Sequence, residues 1–365
     1  MNMIKSILKD RLLQITAVLA VLSLIMARPR LADINFDTLW SLTAMMILIQ
    51  IFNYLHILDY CAYRLTGYAN NTRQLVWLFL ALGFVSAMFL TNDVAVLTLV
   101  PLYLYVAKQY KLPEILPVTL ITMAANLGSA ITPFGNAHNI FVLAKFHVSA
   151  MHFFSWTIPI AIFSVVMASA YTFILKPTPI DHISTQKIYI PPRPTILAII
   201  AALIVFAGVL GFIPSWVGTI VTAVLATALK PNIMSKVDYA TILTFLGFFI
   251  IVSDVSQNAI VKTTIASLVT TPSSVYFGAI GVSQFISNVP TTVLFAKFTH
   301  HVAALLYGAN IGGLGTLVGS MANLLAFKQY TRYGTIDSRK FLIRFTALNL
   351  LTLAIFTLFG WFVIK

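Results

Sequence analysis

Two short clusters of amide, hydroxyl and carboxylate side chains interrupt otherwise apolar stretches of this chain, and each cluster occurs twice. The first is Thr91-Asn92-Asp93, matched downstream by Ser287-Asn288-Val289-Pro290-Thr291. The second is ANLGSAITPFGNAHN at 125–139, which aligns without gaps on ANIGGLGTLVGSMAN at 309–323. Asn126, Gly128, Thr132 and Asn139 then stand opposite Asn310, Gly312, Thr316 and Asn323. Pro133 removes a backbone donor and the glycines permit unusual dihedrals, so both copies predict a broken helix. A broken helix offers carbonyls to a cation and helix N-termini to an anion. The competing explanation is that the glycines only let helices approach closely. Two matching segments at corresponding positions favour a site.

Asp93 is the sharpest single residue. A carboxylate inside an apolar segment is costly, by about 2.5–3.5 kcal/mol on insertion scales, and so usually has a task. It can hold Na⁺ near Asn92 and Asn288, or carry a proton; equally, it can cap a helix beginning at Val94. His138, inside the first broken segment, is a second candidate for proton coupling. Asp254, set among Ser253, Ser256, Gln257 and Asn258, reads as a structural residue at a wet helix end. His147, His152, His300 and His301 are expected at the outer surface.

The elements that must hold these groups are apolar and long. The chain has 365 residues, 59% hydrophobic and 9% charged, with a mean hydropathy of +0.92. Too few charges exist to cover a water-soluble fold of this size. Spans are expected at 12–27, 36–58, 114–146 (interrupted), 153–175, 195–212, 214–229, 238–258, 307–331 (interrupted) and 341–364. The stretches 74–106 and 272–305 carry the polar tips between short apolar arms and predict re-entrant hairpins.

Charge distribution sets the expected orientation. With these spans, 17 of the 23 Lys and Arg fall on the N-terminal side, and only Arg28, Arg30, Lys145, Lys262, Lys297 and Lys365 on the other. Positive-inside bias predicts a cytoplasmic N-terminus and an external C-terminus in the cell membrane. The excess of +13 is thus a topology signal and not a nucleic-acid surface. The apolar run near the N-terminus has no cleavage site and reads as a first span. Cys61, the single cysteine, excludes an internal disulfide, and no metal-ligand spacing or GxxxxGK[ST] phosphate loop occurs.

The polar stretch 176–194 has proline near both ends and separates two halves: a first repeat at 1–175, a linker and connecting helix at 176–213, and a second repeat at 214–365. Five crossings between the repeat starts make the second copy inverted, with a site expected where the halves meet. The expected fold is therefore an all-α polytopic membrane protein of two inverted repeats, each with a re-entrant hairpin and a broken helix.

Taken in order, TNDVAVLTLVP, ANLGSAITPFGNAHN, SNVPTT and ANIGGLGTLVGSMAN resemble the ion-transporter superfamily. That group contains divalent anion–sodium symporters, citrate carriers, arsenite permeases and sodium/proton antiporters. The resemblance implies a dimerising scaffold and a transport domain moving as an elevator. In the symporters each hairpin tip reads Ser-Asn-Thr; here Asp93 and Val289 depart at the third place, nearer the arsenite-permease and antiporter branches. The resemblance carries the binding role to Thr91, Asn92, Asn126, Gly128, Thr132, Asn139, Ser287, Asn288, Asn310, Gly312, Thr316 and Asn323. Asp93 and Thr291 join them as candidates from the tips. The expected activity is secondary transport of a small anion coupled to Na⁺ or H⁺, by a homodimer in the lipid bilayer without a cofactor. Arsenite efflux or Na⁺/H⁺ exchange is the alternative; an intramembrane enzyme or sensor is the alternative outside transport, though no nucleophile–base pair is apparent.

Overall fold

The computed structural model describes residues 7, 8, 10–25, 27–180 and 188–364. Of the basic residues counted for orientation, Lys5, Lys9, Lys187 and Lys365 lie outside the described residues, as does 181–187 of the linker. Seventeen α-helices form among the described residues, beginning with α1 (Arg11–Ser23), α2 (Phe36–Tyr54) and α3 (Ile57–Thr66). Two 19-residue arms follow, α4 (Thr72–Leu90) and α5 (Asn92–Tyr110), then α6 (Ile115–Ser129), α7 (Ala137–Phe146) and α8 (Ala150–Thr172). The second half contains α9 (Pro192–Val209), α10 (Ser215–Leu229), α11 (Tyr239–Val255), α12 (Ala259–Leu268), α13 (Pro272–Ile286) and α14 (Asn288–Phe295). It ends with α15 (Val302–Gly312), α16 (Met321–Tyr333) and α17 (Ser338–Ile364).

The helix starts follow local chemistry. Asp10, Asn35, Asn71, Ser149, Asp238 and Asn258 each accept a bond from a backbone N–H in the first turn that follows, and Thr271 forms a capping box with Ser274. Among the described residues, five helices are long and apolar enough to cross a membrane, and α11 with α12 makes a sixth if counted as one bent span. Their outward faces carry exposed apolar side chains such as Ile162, Val166, Leu203, Leu358 and Phe362. That distribution suits contact with lipid and not water.

Four expected spans differ in detail, and those at 12–27 and 214–229 form helices of only 13 and 15 residues. The span at 36–58 stops at Tyr54, because His56 adopts a φ of 54° and starts α3 in a new direction. The span at 238–258 ends at Val255 and turns by 105° into α12. Asp254 is not at a wet helix end: it is fully buried, and one carboxylate oxygen accepts from Ser23 Oγ at 2.8 Å. Of the outer-surface histidines, His147, His152 and His300 are exposed and His301 is half-buried.

Packing divides the helices by what they touch. Helices α2, α9 and α10 pack on one another, and α11 packs on α1 and α2. The hairpin α4–α5 packs on α6, and the hairpin α13–α14 packs on α15. The halves then interlock: α16 lies on α5 and α6, while α7 lies on α14 and α15. Aromatic contacts join the two groups, with Phe134 stacked on Phe206 at 4.1 Å and Phe141 against Phe249 at 5.5 Å. The start of the linker is anchored, since Thr72 N–H donates to the Thr178 carbonyl and Ile180 N–H to the Asn70 carbonyl.

Candidate functional site

Each hairpin reverses through one residue. Between α4 and α5 stands Thr91 at φ 71°, ψ 151°; between α13 and α14 stands Ser287 at φ 75°, ψ 155°. These dihedrals lie in a region populated almost solely by glycine, and a side chain there costs on the order of 1–3 kcal/mol. Each tip passes from one helix to the next through this single residue at positive φ. Both copies carry a hydroxyl residue where glycine fits best. Both tips lie inside the protein, Asn92 being 4% exposed and Asn288 3%. The arms are not all short as expected: α4 and α5 are each about 28 Å long, and α4 is apolar enough to cross, whereas α14 has only 8 residues.

The broken helices are open where expected. α6 stops at Ser129 and α7 starts at Ala137; α15 stops at Gly312 and α16 starts at Met321. Each break exposes carbonyls that must find donors, and the second asparagine of each motif supplies them. Asn139 Nδ2 donates to the Ser129 and Thr132 carbonyls at 3.0 and 3.1 Å. Asn323 Nδ2 donates to Gly313 and Thr316 carbonyls at 3.0 and 2.9 Å. Because a carbonyl only accepts, both amides are oriented without ambiguity. Their oxygens therefore face the opposite half, where Asn310 Nδ2 donates to Asn139 at 2.9 Å and Asn126 Nδ2 to Asn323 at 2.8 Å. Two asparagines from each half thus cross the boundary in the same pattern. Thr132 and Thr316 close the loops, each hydroxyl accepting from the N–H three residues on, Gly135 or Gly319, at 3.1 Å. Each also donates to a carbonyl of the adjoining hairpin arm, Met88 or Gln284.

The chain from there is asymmetric. Asn126 Oδ1 accepts from Asn92 Nδ2 at 2.8 Å and from Ser320 Oγ at 3.0 Å, so the first tip is bonded to both breaks. The second tip is attached through its backbone, Asn288 N–H donating to the Gly319 carbonyl at 3.1 Å. Among the described residues, its side-chain oxygen receives only the Ser287 hydroxyl, at 3.4 Å.

The remaining predicted residues fall into three groups. Gly128 sits against the backbone of α4, where an added Cβ would lie 2.1 Å from the Phe84 carbonyl oxygen, and Gly312 sits against Ser283, whose side chain a Cβ would approach to 2.8 Å. Close helix packing accounts for both. Thr291 donates to the Ser287 carbonyl at 2.7 Å within α14. Asp93 and His138 are different: the Asp93 Oδ1 atom is buried without a partner, and neither ring nitrogen of the fully buried His138 makes a well-formed hydrogen bond, although the Asn310 side chain adjoins the ring. Asp93 does not cap a helix beginning at Val94. The helix α5 already begins at Asn92, and Asp93 lies in its first turn.

Sequence reading missed Ser320 and Asn136, which are aligned with each other in the repeat and both stand at the N-cap of the second half-helix. It also missed Gln284, whose amide bonds the Gly312 carbonyl and the Thr316 N–H at 2.8 and 2.9 Å. The gapless alignment of 125–139 on 309–323 contained the first two; nothing in the repeat pointed to Gln284, which faces Met88 in the other copy.

Long apolar helices, two strained hairpin tips and two helix breaks joined by amides define a multi-pass membrane protein of the transporter class. A model of the citrate transporter family (CitMHS) matches residues 6–306, and the chain belongs to that family. It is 30% identical over 300 residues to an uncharacterised transporter of Methanocaldococcus jannaschii, MJ0456, covering 81% of each chain. It is 28% identical over 305 residues to the inner membrane protein YbiR of Escherichia coli, covering 81% of this chain and 80% of the other. Among solved structures, the YdaH transporter of Alcanivorax borkumensis, described as having an unusual topology, superposes with a TM-score of 0.60 at 15% identity. The match covers 90% of this chain and 85% of that one.

Proposed function

We propose that this protein is a secondary active transporter of a small anion across the cell membrane, coupled to Na⁺ or H⁺. The observation that carries the reading is the asymmetry of the asparagine network. Asn92, Asn126 and Ser320 bond one another, whereas among the described residues their counterparts Asn288, Asn310 and Asn136 do not. Asn288 opens α14 and Asn136 caps α7, two helices that pack together. Uncommitted amide donors on neighbouring helix N-termini are suited to an anion, which the helix dipoles favour. His138, in the first turn of α7, adds a fully buried imidazole beside the Asn310 side chain. Asp93 at the other tip is the candidate for the coupling ion. Its unpartnered carboxylate also supports Na⁺/H⁺ exchange as a second reading.

The gapless motif alignment and the odd number of crossings support inverted repeats at 1–175 and 214–365 joined by 176–213. The aromatic contacts of Phe206 and Phe249 support sliding of the hairpin-bearing core along the peripheral helices, because apolar surfaces can shift without breaking directional bonds. A homodimer follows the family resemblance, and the charge bias supports a cytoplasmic N-terminus.

The experiment is a thermal-shift screen of purified protein against small anions with and without Na⁺, followed by transport in proteoliposomes. Asn288→Ala should weaken the anion response at least about tenfold, the cost of one hydrogen bond to a charged group. Asn92→Ala should reduce transport with a smaller effect on binding. Normal transport by the Asn288 variant overturns this assignment of the site.

A further inference from the structure

A groove of about 390 Å³ lies between α6 and α17, away from the helix breaks. That volume is within the range of roughly 300–1,000 Å³ of small-molecule sites. Ile115 and Leu116 form one wall, and Ala347, Leu348 and Leu351 the other. Thr119 also lines it but spends its hydroxyl on the Ile115 carbonyl at 2.7 Å, leaving its methyl group to the wall. The only charged group in the lining is Arg344. It is exposed, and among the described residues its guanidinium has no hydrogen bond or ion pair.

The two helices begin at the same end of the bundle. Glu114, just before α6, accepts from Thr335 N–H at 2.9 Å and from its hydroxyl at 2.6 Å, just before α17. Exposed Lys108 and Lys111 precede α6, and exposed Arg339 and Lys340 lie in the first turns of α17. Two acids share this end, buried Glu114 and exposed Asp337, and against Lys108, Lys111, Arg339, Lys340 and Arg344 they leave a positive balance. The groove therefore has a basic mouth at the membrane edge and an apolar body running along outward-facing α17, where Ile343 and Leu351 are exposed. We propose that this groove binds an anionic phospholipid, with the headgroup phosphate on Arg344 and an acyl chain along Leu348 and Leu351. A phosphate matches the guanidinium fork, and basic pockets between membrane helices near the interface recognise anionic headgroups. The site is independent of the transport reading.

Native mass spectrometry and thermal melting of the full chain in detergent, titrated with phosphatidylglycerol or phosphatidylcholine, test it. Phosphatidylglycerol should bind the wild type and raise its melting temperature, while phosphatidylcholine should bind at least about fivefold more weakly. Arg344→Gln should remove that preference, and Ala347→Trp, which fills the groove without changing charge, should reduce binding of both lipids. Equal binding of the two lipids to wild type, or unchanged binding in both variants, overturns the proposal. So does a disulfide-linked dimer formed by Leu351→Cys in a Cys61→Ser background, which would assign the groove to a second copy of the chain.

Discussion

Thr91 and Ser287 each hold a backbone conformation that glycine would adopt without penalty. Replacing either by glycine relieves on the order of 1–3 kcal/mol of strain and costs about 0.5–1 kcal/mol in unfolded-chain entropy. Thr91→Gly and Ser287→Gly should therefore melt at or above the wild-type temperature while transporting at least about tenfold more slowly. Melting curves and proteoliposome uptake on the same preparations check this. Wild-type transport in both would show that the hydroxyls are dispensable. Asp93 permits a second test at the same tip. Asp93→Asn keeps the shape and removes the titration and charge. If Asp93 carries the coupling proton, this variant should lose transport driven by a pH gradient yet still bind substrate. Loss of only the sodium-driven component would assign Na⁺ ligation to the carboxylate, and wild-type rates under both gradients would leave it a structural group.

The peripheral helices and the second hairpin meet at one polar tie. Lys297, two residues beyond α14, pairs with Asp33 between α1 and α2, and Asp33 also accepts from Ser253 Oγ of α11 at 2.7 Å. Partial burial pushes the Asp33 carboxyl up, but the hydrogen bonds from Lys297 and Ser253 and the lysine charge outweigh it, leaving the group below the ordinary carboxylate value. A carboxyl lowered in the folded state stabilises the fold above its unfolded pKa, and that contribution fades as pH falls through the folded value. Asp33→Asn should thus melt lower than wild type at pH 7 and pH 5, with the gap closing below about pH 4. The pair is partly exposed, so the loss should stay within roughly 1 kcal/mol. Melting both proteins at pH 7, 5 and 3 reads this out; a gap as large at pH 3 as at pH 7 would contradict the ionic origin. The interlock of α16 with α6 and of α7 with α15 runs instead through neutral amide pairs, Asn126–Asn323 and Asn139–Asn310.

The orientation of the whole chain has a direct test. Positive-inside bias predicts that a reporter fused after Lys365 is active on the external side and one inserted within 181–190 on the cytoplasmic side. Activity in the opposite pattern would reverse the orientation, and reporters on the same side would break the crossing parity on which inversion rests.

Membrane class, both helix breaks and both polar tips were legible in the residues alone. Hydrophobic length dictates spans, and Gly, Pro and Asn inside a span dictate an interruption, so local composition was enough. The crossed bonds Asn126–Asn323 and Asn139–Asn310 were not legible, although all four residues were singled out, because 197 and 171 residues separate the partners. Which asparagine satisfies its own break and which reaches across depends on the orientation of exposed carbonyls in three dimensions. For the same reason Asp254 looked wet among polar neighbours in sequence, yet Ser23 of α1 covers it in space. Gln284 looked like an ordinary hairpin residue until α15 placed the Gly312 carbonyl beside it. Local sequence determines where the backbone must break, and long-range packing determines which side chain repairs each break and which is left free for a ligand.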